Sequence, residues 1–496
     1  MWWDEIASVF RAGISFHEMF VNLMSTRNHM PLYFVMLQGW GKLGLNEFVV
    51  RYFSVLAGMI GLAVLYKAGE LIAGRKAGLI ALFLLAISPF HIWFSQEARM
   101  YTLMMTLILA ANFCVLVVLR QANASRWWWL GYTVTMILAV YTHYFAGLLL
   151  LVHYIFFSLH YRYRPELFKR WLVSGVVVGA SFALWVFMMA MTGGYANAPI
   201  SWIEPAQFYD PFLTLLSFVA GPTVDLINPG GYLVLGFYVM TIFIVFWNFA
   251  RRLWPMGFVH DQFLVMSARL LLLWLFVPIL ITFIISLDWP IEQARSIYMD
   301  RYLIISLPAM VLLAAWGLVW VDMRLKKNGP VFFILAFVCL ATLPSLLNMY
   351  GNGRYARTDW RKAFEVLDSH WQPDSLLLLN QSHTLPYLYY ADDKLTMSLL
   401  PSIDVEGDTD QTDWNEFGRK FLDEVETTGS VWFIESFPNG NTHGFPHSRN
   451  TAQIENINRD AHLKWLSEHC LLLEEINVTG VRLISYDLAE CVEATR

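Results

Sequence analysis

The sequence lacks the motifs by which soluble enzymes bind nucleotides and structural metals. It contains no phosphate-binding loop, no dinucleotide fingerprint and no Cys/His spacing of the zinc type. Cysteine is also rare. Cys114 and Cys339 fall inside apolar runs, where packing is their expected role, whereas Cys470 and Cys491 lie in a polar C-terminal region. An oxidising compartment would permit a disulfide between the last two, but the sequence does not show whether their sulfurs are close.

Charged residues are almost absent from ten long apolar stretches. Most of these stretches are near the ~20 residues that a membrane-spanning helix requires. The chain is 57% hydrophobic, with a mean hydropathy of +0.47. We therefore predict a polytopic α-helical membrane protein with a bundle of about ten spans within residues 49–350. The predicted spans are 49–66, 77–94, 100–119, 127–142, 144–160, 171–192, 231–250, 270–288, 302–321 and 330–349.

The scarcity of charge inside the spans argues against ion-coupled transport. Transporters place ionisable groups near the membrane midplane, because the coupling ion binds there. His153 is the exception in mid-span, and a hydrogen-bonded packing role explains it better than ion binding does.

Basic residues are concentrated in alternate loops. One set of loops is rich in Lys and Arg, whereas the opposite set, from residue 95 to 301, holds only Arg99, Arg295 and Arg301. The positive-inside rule makes the first set cytoplasmic. The protein is then predicted to lie in the cell inner membrane. The segments predicted to face outward are 1–48, 193–230, 289–301 and 351–496.

Residues 1–48 are interpreted as a first outer loop with interfacial helices. Phe16, Met19, Phe20 and Leu23 share one face of an amphipathic stretch suited to the membrane interface. No signal or span precedes this loop to carry it outward. We therefore expect that a first spanning helix precedes Met1.

The composition changes near Gly351. From there to Arg496 the acidic residues number 24 and the basic ones 12. Helix and strand patterns alternate in this region, ending in two strands, Leu471–Val478 and Val481–Asp487, joined by a Thr-Gly turn. Residues 351–496 are therefore predicted to form a small extracytoplasmic α/β domain.

Polar residues gather instead at the outer ends of the spans. A carboxylate and an arginine two residues apart, Glu97 and Arg99, are costly at a membrane edge unless they are used or paired. Chemistry at the outer surface is a better interpretation than transport. The alternative for Arg99 is a side chain that extends to the interface and anchors the helix end. The polar groups of this set are Asp4, Glu5, Asn28, His29, Gln96, Glu97, Arg99, His143, Arg295, Asp300 and Arg301.

Five short motifs in this outer set carry a family resemblance. The chain resembles the bacterial relatives of dolichyl-phosphate-mannose protein mannosyltransferases, which share the GT-C superfamily with the lipid A aminoarabinose transferases. The lipid A enzymes have Glu-Lys-Pro-Pro where this chain has Asn28-His29-Met30-Pro31. A metal site that relies on that glutamate is therefore in doubt in this chain. The motifs are Trp3-Asp4-Glu5, His29-Met30-Pro31-Leu32-Tyr33, Gln96-Glu97-Ala98-Arg99-Met100-Tyr101, Thr142-His143-Tyr144 and Asp300-Arg301-Tyr302.

The resemblance implies a GT-C type bundle that transfers a sugar from a polyprenyl-phosphate carrier, with inversion at the anomeric carbon. It implies that Asp4 is the base that deprotonates the acceptor, and that Glu97 orients the acceptor or holds a cation. The implied substrate-binding residues, with the arginines on the phosphate, are Glu5, His29, Arg99, Tyr101, His143, Arg295 and Arg301.

The implied partners are membrane lipids, the lipid-linked donor, and a lipid, glycan or protein acceptor, with no nucleic acid. A divalent cation is compatible with the sequence, which does not show one. The identity of the sugar stays open.

Other interpretations remain for the site residues and for the whole chain. Asp4 and Glu5 could form a solvated loop end, His29 a cap, and His143 an interfacial anchor. If the first segment is extended, adjacent side chains point opposite ways, so that only one of Asp4 and Glu5 faces the cavity. The alternative functions are a lipid or polysaccharide flippase and a non-catalytic scaffold of envelope assembly.

Overall fold

The chain forms two compact units. One comprises Met1–Ala7 and the described residues from Gly351 onward, and the other comprises Ser8–Tyr350. The computed structural model describes all residues except 27–28, 122–124, 192–202, 204, 224–228, 254–261, 288–295, 326–328, 353–354, 380–383, 393–394, 400–420, 422–428, 437–461, 490 and 492–496.

Fourteen described α-helices lie between Met1 and Gly351. They are α1 (Trp3–Gly13), α2 (Phe16–Thr26), α3 (Leu32–Trp40), α4 (Glu47–Ala86), α5 (Pro89–Ser95), α6 (Tyr101–Arg120), α7 (Arg126–Val140), α8 (Leu148–Leu159), α9 (Pro165–Met191), α10 (Asp210–Ala220), α11 (Pro229–Leu253), α12 (Gln262–Ile285), α13 (Leu307–Leu325) and α14 (Gly329–Gly351).

Seven helical segments among the described residues are long and apolar enough to cross a membrane. They lie in α4, α6, α9, α11, α12, α13 with its preceding turn, and α14. The predicted fold class, a polytopic α-helical membrane protein with a C-terminal α/β domain, is confirmed. The count of ten spans stays a prediction, because 77–94 is divided between α4 and α5, and 127–142 and 144–160 coincide with the shorter helices α7 and α8.

The first two predicted spans, 49–66 and 77–94, lie on either side of a chain reversal in the structure. The range α4 contains two helical segments joined at Ala73 and Gly74, and they pack so closely that a Cβ on Gly69 would lie 3.0 Å from the Gly78 Cα. Gly74 adopts a φ of 84°, which glycine tolerates because it has no Cβ. The second span is then interrupted at Ser88, whose side chain accepts a hydrogen bond from the His91 N–H and caps α5.

Helix α10 was not predicted. It lies within 193–230, which the sequence indicated only as an outer loop, and it begins at Asp210 with Pro211 in its first turn. Two 3₁₀ turns, Tyr144–Gly147 and Tyr302–Ser306, lead into α8 and α13. These turns place His143 and Arg301 immediately before helices.

The centre of the membrane unit is built on α6 and α13. Helix α6 packs against α4 and α7, and α13 packs against α4 and α11. At Gly317 of α13 a side chain would collide with the backbone of Thr241 in α11. A small residue therefore allows the two helix backbones to approach closely, as is common between helices in membranes.

The apolar face of the amphipathic helix α2 is partly buried in the protein and partly exposed. Met19 and Leu23 are fully buried in the protein, whereas Phe16 is exposed. Phe20 packs edge-on against Trp185 at a ring distance of 6.0 Å. Much of the face that was predicted to contact the membrane interface therefore contacts other parts of the same chain.

The C-terminal unit is built on a five-stranded sheet. Strands β1 (Leu376–Leu379), β2 (Met397–Leu399), β3 (Ser430–Ser436), β4 (Leu471–Val478) and β5 (Val481–Asp487) lie in the order β2-β1-β3-β5-β4. Strand β1 is parallel to β2 and β3, whereas β5 is antiparallel to β3 and β4. Gly480 in the β4–β5 turn has a φ of 74°.

Helices and one disulfide complete this unit. Helix α15 (Trp360–His370), capped by Asp359, and helix α16 (Thr384–Tyr390) accompany the sheet, and residues 462–469 are also helical. Cys470 and Cys491 form a disulfide across a sequence separation of 21. Cys491 belongs to the buried core together with Leu378, Phe433 and Trp465.

Candidate active site

Two arginines from different loops of the membrane unit converge on one aromatic ring. The guanidinium carbon of Arg99 lies 5.8 Å from the centre of the Tyr101 ring, and that of Arg301 lies 5.9 Å from the same centre. Arg301 also lies 5.4 Å from the Tyr302 ring. Each arginine is within the distance at which a cation is attracted by an aromatic face. The tyrosine thus helps to hold two like charges near each other.

Arg99 is fixed by contacts from two helices and from His29, which follows α2. Its Nη1 donates to Ser8 Oγ in α1 at 3.2 Å, and its Nη2 lies 3.5 Å from His29 Nε2. Its backbone carbonyl accepts a hydrogen bond from Ser54 Oγ in α4 at 3.3 Å. Ser54 in turn lies 3.4 Å from the hydroxyl of Tyr33 in α3. Arg99 is 3% exposed, so these contacts hold a buried charge in a defined position.

Two histidines surround the same arginines and stay neutral. Burial, followed by the charges of Arg99 and Arg301, lowers the pKa of His143 to about 3. Burial holds the pKa of His29 well below its ordinary value, and the positive charges of Arg99 and Arg11 lower it further. The positive charge of the site therefore comes from the arginines, and the neutral imidazoles act as hydrogen-bonding groups.

Aromatic contacts join the two loops at His143. Its ring centre lies 4.7 Å from that of Tyr302 and 6.2 Å from that of Tyr101. Its Nδ1 accepts a hydrogen bond from the Phe145 N–H at 3.2 Å, which fixes the ring at the start of the 3₁₀ turn. We name Arg99, Tyr101, Arg301, His29 and His143 the arginine–tyrosine cluster. The structure brings together these five residues, all of which the sequence analysis selected.

Arg11 is a third cation near the cluster, and the sequence analysis missed it. Its Nε donates to Asn22 Oδ1 at 3.0 Å, and its guanidinium lies 5.5 Å from the Phe34 ring. Its charge is one of those that lower the pKa of His29. Ser8 was also missed, and Tyr302 was named only as part of the Asp300-Arg301-Tyr302 motif. Ser8 and Arg11 follow Asp4 at helical spacing, which could have identified both if the segment had been interpreted as a helix.

The first segment is helical, contrary to the extended conformation on which the sequence interpretation rested. Asp4 and Glu5 lie in the first turn of α1, and both belong to the C-terminal unit. Adjacent side chains in a helix diverge by about 100°, rather than pointing opposite ways. Glu5 is buried and lies 3.6 Å from the guanidinium of Arg357, and it also accepts a hydrogen bond from the Trp2 N–H at 3.3 Å. Asp4 is half-buried.

The remaining predicted site residues have mixed positions. Glu97 is buried in the turn between α5 and α6, and its carbonyl accepts a hydrogen bond from the Arg99 N–H at 2.7 Å. Asn28 and Arg295 lie outside the described residues. Within the part of the chain that the structure describes, no group of three or more His, Cys, Asp or Glu residues could hold a metal ion.

Comparison with protein families identifies the part of the chain that contains most of the cluster. Residues 28–191 match the model of the dolichyl-phosphate-mannose-protein mannosyltransferase family. This range includes His29, Arg99, Tyr101 and His143, but not Arg301. No curated protein sequence matches the chain at a significant level.

Solved structures extend the likeness to nearly the whole chain. ArnT from Cupriavidus metallidurans in the apo state superposes with a TM-score of 0.56 at 13% identity, covering 98% of this chain and 94% of ArnT. The chain has the same fold as this ArnT, the GT-C fold. The same ArnT bound to undecaprenyl phosphate gives a TM-score of 0.55 at 14% identity, with coverage of 92% and 87%. The predicted GT-C resemblance is therefore confirmed.

An archaeal protein is also similar, at a lower score. The Archaeoglobus fulgidus oligosaccharyltransferase tethered to an acceptor peptide has a TM-score of 0.49 and 12% identity, covering 94% of this chain and 67% of that protein.

Proposed function

We propose that this GT-C protein transfers a sugar from a polyprenyl-phosphate carrier to an acceptor hydroxyl at the outer face of the cytoplasmic membrane. The convergence of Arg99 and Arg301 on Tyr101 supports this proposal most directly. Two arginines are suited to a phosphate because each presents a planar fork of N–H donors and keeps its charge at every physiological pH. The structural likeness to a protein that binds undecaprenyl phosphate supports a carrier of this class.

The phosphate is the part of the donor that the arginines bind, and polyprenyl phosphate is the leaving group. As the anomeric carbon separates from the phosphate oxygen, negative charge grows on the phosphate, and two fixed guanidinium groups stabilise that charge. His29 and His143, being neutral, can donate or accept hydrogen bonds without adding charge. Arg295 would join them as a further phosphate ligand, and Tyr101 keeps Arg99 and Arg301 in position for this task.

The acceptor needs a base, and we assign that role to Asp4. Asp4 precedes Ser8 by one turn of α1, so the two share one face of that helix, and Ser8 binds Arg99. The Asp4 carboxylate takes the proton of the acceptor hydroxyl, and the oxygen forms a bond to the anomeric carbon. The bond from that carbon to the phosphate oxygen breaks, and the polyprenyl phosphate leaves with the electron pair. A single displacement of this kind inverts the anomeric centre.

Glu97 and Glu5 take supporting roles in this proposal. Glu97, buried two residues before Arg99 in the chain, orients the acceptor or holds a cation if the reaction uses one. Glu5 was predicted to bind substrate, but its contact with Arg357 favours a role in holding α1. Neither role requires Glu5 to touch the sugar.

In the proposed orientation, the C-terminal unit lies on the extracytoplasmic side of the inner membrane. The distribution of Lys and Arg among the loops supports it. The Cys470–Cys491 disulfide supports it independently, because disulfides persist in oxidising compartments and are rare in the cytosol.

Mass spectrometry of envelope lipids and glycans tests the proposal whichever sugar is transferred. A strain without the gene should lack one glycosyl residue on a specific acceptor and accumulate a polyprenyl-phosphate sugar. Complementation with Arg301→Ala should not restore the acceptor, whereas Arg120→Lys should. Arg120 is a suitable control, because it also stacks on an aromatic ring, Phe263, but at the opposite end of α6.

The alternative functions give different outcomes. An unchanged envelope composition would overturn the proposal. Full complementation by Arg301→Ala and by Arg99→Ala would favour a non-catalytic scaffold, since such a role does not need the arginines. Accumulation of an intact lipid-linked glycan on the inner leaflet would favour a flippase.

A further inference from the structure

The loop that carries Arg301 is clamped by helix α10. We infer that Thr214 and Ser217 of α10 are positioning residues for Arg301, and that they act through the carboxylate of Asp300. Thr214 Oγ1 donates to Asp300 Oδ1 at 2.5 Å, and Ser217 Oγ donates to Asp300 Oδ2 at 2.8 Å. The two oxygens of one carboxylate are thus bound by two hydroxyls on successive turns of the same helix. This inference rests on the proposed function, because it concerns how the proposed phosphate ligand is held.

Burial makes this clamp strong. Asp300 is 2% exposed, and Thr214 and Ser217 are fully buried. Hydrogen bonds to an ionised carboxylate are about twice as strong as those between neutral groups. Loss of one donor leaves part of a buried charge without compensation, which is costly away from water. The Asp300 carboxylate is therefore held firmly in its position against α10.

Tyr298 is a third residue in this hydrogen-bond network. Its hydroxyl lies 2.8 Å from Thr214 Oγ1. Because the single hydroxyl proton of Thr214 is directed to Asp300, Tyr298 is the donor in this contact. Burial, together with the charges of Asp300 and Asp210, raises the pKa of Tyr298 above its ordinary value. The phenol therefore keeps its proton and remains a donor at physiological pH.

The position of Asp300 is transmitted directly to Arg301. The two residues are adjacent, and Arg301 immediately precedes the 3₁₀ turn Tyr302–Ser306. The Asp300 carbonyl accepts a hydrogen bond from the Leu303 N–H at 3.0 Å, which continues that turn. The preceding backbone is held as well, since the Ile297 N–H donates to Ser286 Oγ at 2.9 Å. A shift of Asp300 would therefore move the guanidinium away from the Tyr101 ring.

Binding of undecaprenyl phosphate to the full-length protein in nanodiscs tests the inference. Thr214→Val removes the hydroxyl and keeps the shape, and we expect about tenfold weaker binding, in the range of coupling seen between contacting residues. Thr214→Ser retains a hydroxyl and should bind within about twofold of wild type on the same basis. Thr282→Val is the matched control. Thr282 is equally buried, but its hydroxyl bonds to carbonyls of its own helix, α12.

A double-mutant cycle separates positioning from a merely structural role. In an Arg301→Ala background, Thr214→Val should cause no further loss of affinity, because the group that it positions is gone. Equal losses in both backgrounds would overturn the inference, as would wild-type affinity of Thr214→Val. If Thr282→Val weakened binding as much as Thr214→Val, general destabilisation of the bundle would explain both, and the inference would fail. If the unsubstituted protein did not bind undecaprenyl phosphate, the proposed function would fail first and this inference with it.

Discussion

Arg301 places its guanidinium carbon 5.9 Å from the centre of the Tyr101 ring, although Tyr101 begins α6 and Arg301 precedes the turn that leads into α13. The same ring attracts Arg99 from its own loop. One neutral aromatic residue thereby links two charges that would otherwise repel each other. Two such charges suit the anionic phosphate of the proposed polyprenyl-phosphate carrier.

Removal of the Tyr101 ring should weaken the site without changing its charge. Tyr101→Leu loses both cation–π contacts, so we expect roughly tenfold weaker binding of undecaprenyl phosphate. Tyr101→Phe keeps the aromatic face and should bind within about threefold of wild type on the same basis. Isothermal titration of purified variants provides the comparison. Equal affinity of the Leu and Phe variants would show that the ring does not hold the arginines.

Asp4→Asn should separate binding from chemistry. The amide cannot accept the acceptor proton, and the expected loss in transfer rate is about 10²- to 10⁴-fold, with donor binding retained. Glu5→Gln should instead lower thermal stability, since it weakens the contact with Arg357, and leave most of the transfer activity. Transfer of radiolabelled sugar in nanodiscs measures both. Wild-type transfer by Asp4→Asn would remove Asp4 as the base.

Stability should fall on acidification, and His143 should contribute to the fall. Its pKa is about 3 in the folded protein, against an ordinary value of 6.5. Between these values the unfolded chain binds a proton that the folded protein does not, so unfolding becomes easier as the pH decreases. His143→Gln should give a shallower decrease of melting temperature from pH 7 to pH 4. The exposed His17, changed to Gln, is the control, and an identical slope in wild type and His143→Gln would contradict the assignment.

The disulfide of the C-terminal unit should form in cells and stabilise that unit. Peptide mapping without reduction should recover Cys470 and Cys491 in one linked pair. Replacement of both by Ser should lower the free energy of unfolding by about 3 kcal/mol, because the disulfide closes a loop and so restricts the unfolded chain. The control is the double replacement of the free cysteines, Cys114 and Cys339, by Ala. Recovery of both C-terminal thiols in the free form would argue for a reducing, cytoplasmic location of this unit.

The sequence was most informative where one pattern determines one structure. Apolar runs predicted the membrane helices, and the Thr-Gly turn predicted the β4–β5 hairpin with the bounds that the structure has. The break of α4 at Ala73 and Gly74 falls between the predicted spans 49–66 and 77–94, where basic residues interrupt the apolar runs. Helix α10 was missed because its 11 residues are too few for a span.

The candidate site was predictable in its members but not in its contacts. Arg99, Arg301, His29 and His143 were selected because charged and polar groups at membrane edges need a use. Ser8 and Arg11 carry no such signal, and they join the site only because α1 is a helix. The clamp on Asp300 depends on α10, so no pattern in the Asp300-Arg301-Tyr302 motif indicated Thr214 and Ser217. Contacts between distant segments are set by packing, which a single sequence does not record.

The most direct test of the central claim is the binding of undecaprenyl phosphate to Arg99→Ala/Arg301→Ala. Native mass spectrometry of the purified protein in detergent reports the number of bound lipids. The wild type and the Arg120→Lys control should each retain one molecule of undecaprenyl phosphate, and the double variant should retain none at the same lipid concentration. Loss of two charged, forked ligands should weaken phosphate binding by at least about 100-fold. Equal occupancy in the double variant and the wild type would contradict the account.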